Sequence, residues 1–484
     1  MATSSMSPQV KPAPSAKPQK SGLAGGRKIF GLLFGIVAFP LLWFMPITGL
    51  SKTGTHALAI AVLTAIWWIF TVMPPAFPAI LACVLFFVLR VVRPVDAFSG
   101  FVNPSIWMLF FALIMAKGVE RSGLGKRIAS WLMSNTALSF NGIVAVFIVL
   151  CIIFPFFLPS ALASVALIMA LAVGIMDALG IERNPDNKVS SGLTCFVAVL
   201  ALTMARGPLT GSVPNFIATG LVREVTGVDV SWIEWLKSMW VCIPIPAIAT
   251  YLYITRLYKP DVALSPELMK KQIEATKDSL GPWSGAEIRA AILVTAAILL
   301  WAFDPFLKIG TNEVGIIIGI LFLMPYIGCL GVPDFKSLSW ETFMFAGGSF
   351  SMGVVLARTG FAQWAASAIS KLSFLSGSGF VFAGMMVVLF AFALHFLLET
   401  LGEVSLLTPI ILKTGLITPK AAAMLLPYGA GLYVFPFQGT PIILSLGFNT
   451  TGWKDVTKYA VFITVVGLLQ SFLLMAVYWK FTMR

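Results

Sequence analysis

Two carboxylates lie inside an apolar stretch, where they could bind a proton or a cation. The segment "LLETLGEVSLLTP", residues 397–409, carries Glu399 and Glu403 four positions apart. On a continuous helix these side chains would share a face and repel each other, and Gly402 favours an interruption of the helix. In a low-dielectric setting, at least one carboxyl is expected to exchange a proton or to be balanced by a cation. Structural pairing with a nearby base and an exposed loop position are the alternative interpretations.

A second polar segment follows an arginine. The glycines and prolines of "ARGPLTGSVPNF", residues 205–216, prevent a regular helix. Carbonyls freed around Gly211, together with Ser212 and Asn215, could coordinate a ligand or a cation. Arg206 stands just before the unwound stretch, and a guanidinium at membrane depth costs at least about 2.5–3.5 kcal/mol unless it has a partner or reaches water. We interpret Arg206 as an anion-binding residue, with a snorkelling interfacial arginine as the alternative.

A third segment repeats this chemistry near the C-terminus. In "VFPFQGTPII", residues 434–443, Gly439, Thr440 and Pro441 match the earlier pattern, and Gln438 adds a side-chain amide. Half-helices that start after such breaks point their positive N-terminal ends inward, which favours an anionic guest. We call residues 205–216 the first break and residues 434–443 the second break.

A fourth segment, "FPFFLPSALAS" at residues 154–164, has two prolines that oppose a continuous helix. Pro155 and Pro159 predict that the chain turns back near Ser160 as a re-entrant hairpin, and a kinked spanning helix is the alternative. We call residues 154–164 the first interruption and residues 397–409 the second interruption.

The elements that must position these residues are membrane-spanning helices. The chain has 484 residues, of which 58% are hydrophobic and 11% charged, and this composition excludes a soluble globule. Apolar runs long enough to cross about 30 Å of hydrocarbon recur along it, so the fold class is an all-α polytopic membrane protein. The five cysteines are isolated and lack metal-site or disulfide spacing. The net charge of +13 indicates membrane orientation and anionic-lipid contact ahead of nucleic-acid binding.

An internal repeat organises the helices. "RSGLGKRIAS" at residues 121–130 and "RTGFAQWAAS" at 358–367 share Arg, Gly, Ala and Ser, and each precedes a long helix, an interruption, a short helix and a break. Two inverted repeats are therefore predicted, with about 11 transmembrane helices and two re-entrant hairpins. The predicted units are a disordered cytoplasmic tail (1–28), a first extra transmembrane helix (29–54), the first repeat (55–255), a cytoplasmic polar connector (256–286) and the second repeat (287–484).

At these four segments the sequence resembles the divalent-anion/sodium symporter family. The resemblance covers almost everything after the tail and rests on "GSVPN" at residues 211–215 and "GTP" at 439–441. It implies a homodimer that moves dicarboxylates, citrate or sulfate by an elevator motion. The family's hairpin tips read Ser-Asn-Thr and bind substrate and sodium, so it also implies substrate contacts from Ser160 and Thr400. This sequence lacks both asparagines of those tips.

The resulting hypothesis is a secondary active transporter of small organic or inorganic anions. Arg206, Ser160, Thr400 and the polar residues of the two breaks would bind the anion. Glu399 and Glu403, with Gly211 and Gly439, would bind sodium or protons, unless the protein is an exchanger. No other cofactor is expected, and the partners are a small anion, the lipid bilayer and a second copy of the chain, without nucleic acid.

Two alternatives of other classes stay open. An integral-membrane enzyme acting on a lipid or isoprenoid would need clustered acids or a nucleophile with its base, and the sequence offers neither. A channel would need a continuous pore lining. The basic residues of the N-terminal tail place that end in the cytoplasm, in a bacterial inner membrane.

Overall fold

Helices are the only regular secondary structure in the part of the chain that the computed structural model describes. The described residues are 22–135, 139–158, 160–260, 265–371 and 379–483. Most of the predicted N-terminal tail and Pro159 lie outside these ranges. The first helix begins at Gly22, ahead of the predicted start at residue 29.

The first part of the chain contains the helices up to the polar connector. Their bounds are α1 Gly22–Phe44, α2 Lys52–Ile69, α3 Ala76–Val88, α4 Pro94–Ala97, α5 Pro104–Ser122, α6 Leu124–Ser134, α7 Phe140–Ile153, α8 Ala161–Ala178, α9 Lys188–Thr194, α10 Val197–Met204, α11 Val213–Thr226, α12 Trp232–Met239, α13 Pro244–Leu257 and α14 Pro266–Leu280.

The second part runs from the connector to the C-terminus. Its helices are α15 Gly285–Ala302, α16 Asp304–Leu307, α17 Thr311–Leu323, α18 Val332–Lys336, α19 Trp340–Arg358, α20 Phe361–Ser370, α21 Phe380–Leu394, α22 Thr400–Thr414, α23 Pro419–Ala430, α24 Thr440–Leu446, α25 Trp453–Leu474 and α26 Lys480–Thr482.

Several helices are long and apolar enough to cross a membrane. Within the described residues, five segments of 18 residues or more meet this criterion. Those segments are Gly25–Phe44, Ala161–Ala178, Trp232–Leu257, Gly285–Ala302 and Trp453–Thr482. The second of them, Ala161–Ala178, begins directly after the turn that the sequence analysis predicts near Ser160. Its polar and small residues do not break it, because the helix formers Ala, Leu and Met dominate its length.

The internal repeat is visible in the backbone. Gly123 ends α5 with φ 85° and ψ 2°, and Gly360 follows α19 with φ 85° and ψ −3°. Both lie in the left-handed region, which glycine adopts without a steric penalty. A short amphipathic helix follows each glycine, so the two matched sequences adopt the same helix–glycine–helix turn.

The two halves also interlock through equivalent contacts. In the first half α7 packs against α10, and in the second α21 packs against α23. Across the halves, α11 packs against α22 and α8 packs against α24. Each break and interruption therefore lies beside an element of the other half, and the two halves share one buried core.

Both interruptions are real discontinuities in the helices. α7 ends at Ile153, a 3-10 turn covers Phe154–Phe156, and α8 begins at Ala161. α21 ends at Leu394 and α22 begins only at Thr400. The chain therefore does not run as a single rod through either segment.

The helix is not interrupted at Gly402, contrary to the sequence analysis. This residue lies in the first turn of α22, and the interruption precedes it. A Cβ atom at position 402 would overlap the indole ring of Trp68 on α2. Glycine is therefore required there because α2 and α22 pack closely.

The polar connector contains the helix α14. After α14, the chain is held to α6 by Arg127, whose guanidinium donates to Glu287 Oε1 at 2.7 Å. The same side chain donates to the carbonyl oxygens of Leu280 and Pro282. These hydrogen bonds of Arg127 attach the connector to the first half.

Candidate functional site

The two carboxylates of the second interruption occupy the N-terminal end of α22. Glu399 is the N-cap residue, and its Oε2 accepts a hydrogen bond of 2.8 Å from the backbone N–H of Leu401. Glu403 lies in the first turn and is 0% exposed. The positive end of the helix dipole favours negative charge at both positions.

Glu403 is paired with a histidine from the end of α21. His395 Nδ1 lies 3.2 Å from Glu403 Oε2, and His395 is only 3% exposed. The other polar atom of each side chain, Glu403 Oε1 and His395 Nε2, is buried without a hydrogen-bond partner among the described residues. Pairing with a nearby base, one of the alternatives in the sequence analysis, is therefore present, but it leaves two polar atoms free.

Arg206 is buried between the two halves. It is 5% exposed, and its Nη2 donates to the carbonyl oxygen of Gly431. The guanidinium lies over the ring of Tyr428 on α23, 4.7 Å from the ring centroid, in a cation–π contact. Its Nε is buried and unpartnered within the described chain. The side chain is thus enclosed by protein from the second half, unlike a snorkelling arginine.

Tyr433 connects these groups. Its ring meets the His395 ring edge to face at a centroid distance of 5.1 Å, and its hydroxyl interacts with Thr400. The charge of Arg206 acts on both His395 and Tyr433. We call Arg206, His395, Glu399, Glu403 and Tyr433 the charged cluster.

The first break is held together by Asn215. Its Nδ2 donates to the carbonyl oxygens of Ala205, Pro208 and Leu209 at 3.2–3.3 Å. Because the amide donors serve carbonyls that the break has removed from the helix ladder, Asn215 replaces the missing backbone bonds. A Cβ atom on Gly211 would overlap the carbonyl oxygen of Ala205, so the chain can double back only with glycine there.

The second break is held together by Gln438. Its Oε1 accepts from the backbone N–H groups of Val434 and Phe435 at 2.8 and 2.7 Å. Its Nε2 donates to the carbonyl oxygen of His395 at 3.4 Å. Gln438 therefore joins the second break to the second interruption and fixes the backbone beside the His395–Glu403 pair.

The remaining predicted site residues surround this core. Ser160 caps α8 by accepting from Ala163 N–H at 3.3 Å, and Ser212 is partly exposed immediately before α11. In the second break Thr440 is exposed, whereas Gly439 is buried. Among the described residues, Ser160, Ser212 and Thr440 make no hydrogen bond to the charged cluster. Their roles as anion or ion ligands stay predictions.

Sequence reasoning missed two aromatic members of the site. Tyr428 and Tyr433 lie five residues apart on either side of the Gly431 carbonyl that Arg206 binds. The available signal was the position of two tyrosines directly before a helix break. The structure reveals their role, because α23 places Tyr428, and the chain just after α23 places Tyr433, against side chains from distant parts of the sequence.

Fold and site define a polytopic α-helical membrane transport protein with broken helices in each half. The chain belongs to the family described as sodium:sulfate symporter transmembrane region, whose profile matches residues 27–484. It is therefore an anion-transport protein and not an enzyme, as the sequence analysis predicts.

Relatives agree with this family, and a solved structure has a similar fold. The chain is 25% identical to dicarboxylate transporter 1, chloroplastic, of Arabidopsis thaliana, over 99% of this chain and 86% of the relative. It is 24% identical to the citrate/succinate antiporter of Escherichia coli K12, over 79% of each chain. The YdaH transporter of Alcanivorax borkumensis has a similar fold, with a TM-score of 0.53 at 15% identity, covering 94% of this chain and 98% of that one.

Proposed function

We propose that this protein is a secondary transporter of small dicarboxylate-like anions. The observation that carries the proposal is Arg206, a buried guanidinium with an unpartnered Nε at the meeting point of both halves. A buried cation of this kind suits a planar carboxylate, which it can bind through two parallel N–H donors. Support also comes from relatives named as dicarboxylate, malate and citrate/succinate transporters.

The anion would lie between Arg206 and the polar residues of the interruptions and breaks. Thr400 is the best supported of these contacts, because it already interacts with Tyr433 of the charged cluster. We assign the other contacts to Ser160, Ser212, Thr440 and Pro441, because the amides of Asn215 and Gln438 are directed to backbone groups. The N-terminal end of α11, which begins directly after Ser212, adds positive potential for an anion.

Transport would proceed by alternating access of this site. The interlocked halves and the two interrupted segments support an arrangement of inverted repeats with re-entrant hairpins, moving as an elevator in a homodimer. Glu399 and Glu403, with the backbone at Gly211 and Gly439, would bind the coupling ion, sodium or a proton, or would support exchange. We place the protein in a bacterial inner membrane with a cytoplasmic N-terminus.

Counterflow in liposomes tests this function without assuming a coupling ion. Purified protein is reconstituted with unlabelled succinate inside, and labelled succinate is added outside in sodium-free buffer at equal pH. A transporter accumulates label transiently and leaves the succinate chemically unchanged. Sulfate and an uncharged diester of succinate are added as competitors. Competition by the diester, or absence of counterflow both with and without sodium, would overturn the proposal.

A further inference from the structure

The His395–Glu403 pair is a second functional element of the site, distinct from the anion contact. It lies at the interrupted end of α21 and the start of α22, where two buried polar atoms lack partners. A hydrogen bond between a ring nitrogen and a carboxylate oxygen requires one proton between them. The pair therefore holds at least one proton, and Glu403 Oε1 and His395 Nε2 offer a place for another.

The charges around the pair make the second proton dependent on the anion. Glu399 acts on Glu403 from the N-cap of the same helix, Arg206 acts on His395 from the first break, and Tyr433 faces the ring from just before the second break. An anion bound to Arg206 neutralises the positive charge that otherwise balances Glu399 and Glu403. Its own negative charge then opposes an ionised Glu403, and proton binding relieves that repulsion.

The helices packed against α22 contribute little further charge at this depth. α20 and α21 contain no ionisable side chain, and those of α11 and α19 lie in their end turns. On α23, Lys420 lies in the first turn and pairs with Glu234, while Tyr428 faces Arg206. The proton balance of the pair is thus set by the charged cluster itself.

The ligand chemistry favours a proton over a metal cation. Sodium and other hard cations prefer several carboxylate, carbonyl or water oxygens, whereas a ring nitrogen suits softer metals. Glu403 Oε2 is already bound to an imidazole nitrogen, and Glu399 Oε2 is bound to a backbone N–H. Glu403 is therefore a carboxylate with an imidazole base beside it, which is an arrangement that suits a proton.

We infer that His395 and Glu403 together bind one proton that is carried with each anion bound at Arg206. This inference rests on the proposed function. The proton comes from the aqueous phase, binds at the free atom of the pair when the anion arrives, and leaves on the other side after the anion has left. No other group changes its covalent state.

The test compares wild-type protein with Glu403→Gln in sodium-free proteoliposomes. Glu403→Gln keeps the shape of the side chain and cannot ionise. For the wild type, we expect an inward proton gradient to drive succinate above its equilibrium level, and a protonophore to abolish this accumulation. In the variant, the imposed proton gradient is expected to have no effect on the succinate level, and counterflow without a gradient is measured beside it. Glu120→Gln, at an exposed ion pair at the end of α5, is the matched carboxylate-to-amide control and should behave as wild type.

A binding measurement keeps the inference testable if Glu403→Gln does not fold. Calorimetry of succinate binding to the wild type in buffers of different ionisation enthalpy reports the protons taken up, and we expect about one per anion. The affinity is expected to fall as the pH rises, by up to tenfold per pH unit, because the pair loses the proton that accompanies the anion. His395→Gln should remove this slope.

The outcomes separate the two proposals. Absence of succinate counterflow in the wild type would overturn the proposed function. Counterflow with no proton uptake, or with the same proton response in Glu403→Gln as in the wild type, would overturn only the proton site. Accumulation driven by sodium without any effect of the proton gradient would overturn it as well.

Discussion

The two halves contain equivalent breaks in their helices, but use them differently. In the first break, Asn215 donates to three carbonyl oxygens, and Gly211 lets the chain double back against Ala205. In the second half, the interruption beside the break leaves Glu403 Oε1 and His395 Nε2 buried without partners in the described chain. The same architecture thus forms a rigid support in one half and, in the other, a site whose polar atoms can still form hydrogen bonds.

Arg206 joins these two regions, because it is attached to the rigid first break and reaches the second half. A charge held by a satisfied backbone can be positioned accurately, whereas the groups that exchange ligands must keep free atoms. The first break therefore positions Arg206 for the anion, whereas the second interruption keeps free atoms on Glu403 and His395. Four sets of substitutions test this difference between the halves.

The largest effect is expected at Arg206. Truncating a buried charge in a binding site costs about 2–5 kcal/mol, so Arg206→Met should lower succinate affinity by at least about thirtyfold. Arg206→Lys keeps the charge but loses the planar fork, and an intermediate loss is expected. Equilibrium binding of labelled succinate measures both, with Arg223→Met on the exposed end of α11 as control. Unchanged affinity in Arg206→Met would remove Arg206 from the anion site.

A large effect on stability is expected at Gly211 and a smaller one at its counterpart Gly439. Alanine at 211 would meet the Ala205 backbone, which cannot move aside, whereas alanine at 439 would lie 3.2 Å from the terminal carbon of Ile442, which can rotate. Overpacking of this kind costs about 1–3 kcal/mol, and we place Gly211→Ala at the upper end and Gly439→Ala at the lower. Thermal unfolding in detergent measures the pair. Equal losses would contradict the greater rigidity of the first break.

A moderate effect is expected at Asn215. Asn215→Ala leaves three buried carbonyl oxygens without its donors and should lower the free energy of unfolding by about 2 kcal/mol. Gln438→Ala is the matched variant in the second break, where the amide also holds the carbonyl of His395. We expect Asn215→Ala to reduce stability more than anion affinity per folded molecule, and Gln438→Ala to do the reverse. Melting curves and succinate binding on the same samples decide between these patterns.

The smallest effects are expected at Ser212 and Thr440, which have more access to solvent than the residues of the charged cluster. Ser212→Ala and Thr440→Ala should leave the free energy of unfolding within about 0.5 kcal/mol of wild type. If each hydroxyl donates to the anion, the affinity for succinate should fall at least about tenfold, since hydrogen bonds to charged groups contribute about 1.5–3 kcal/mol. Affinities equal to wild type in both variants would restrict the anion site to the cluster around Arg206.

The sequence predicts much of this comparison because helix breaking is a local property. Proline removes a donor and glycine admits a close backbone approach, so residues 154–164, 205–216 and 434–443 could be recognised from a few positions each. The sequence does not predict which polar side chains form hydrogen bonds within the breaks and which stay available for a ligand. Asn215 and Gln438 look like ligands in the sequence, and the structure shows most of their hydrogen bonds directed to nearby backbone.

Gly402 illustrates the same limit. As an isolated glycine between two acids, it indicates an interrupted helix. The structure instead requires glycine there because the ring of Trp68 on another helix leaves no room for a side chain. A contact across more than 300 positions leaves no trace in the local pattern. The interruption lies a few residues earlier, where Glu399 caps α22.

The membrane class, the repeat, the broken segments and the unusual charges Arg206, Glu399 and Glu403 are all predicted from the sequence. These follow from hydropathy, backbone propensity and the cost of burying charge, which act within short stretches of chain. Only the tertiary structure decided that Arg206 meets Gly431 and Tyr428, and that Glu403 faces His395 and not an open solvent path. Such pairings depend on how helices from both halves pack, because a buried polar atom finds its partner in space and not along the chain.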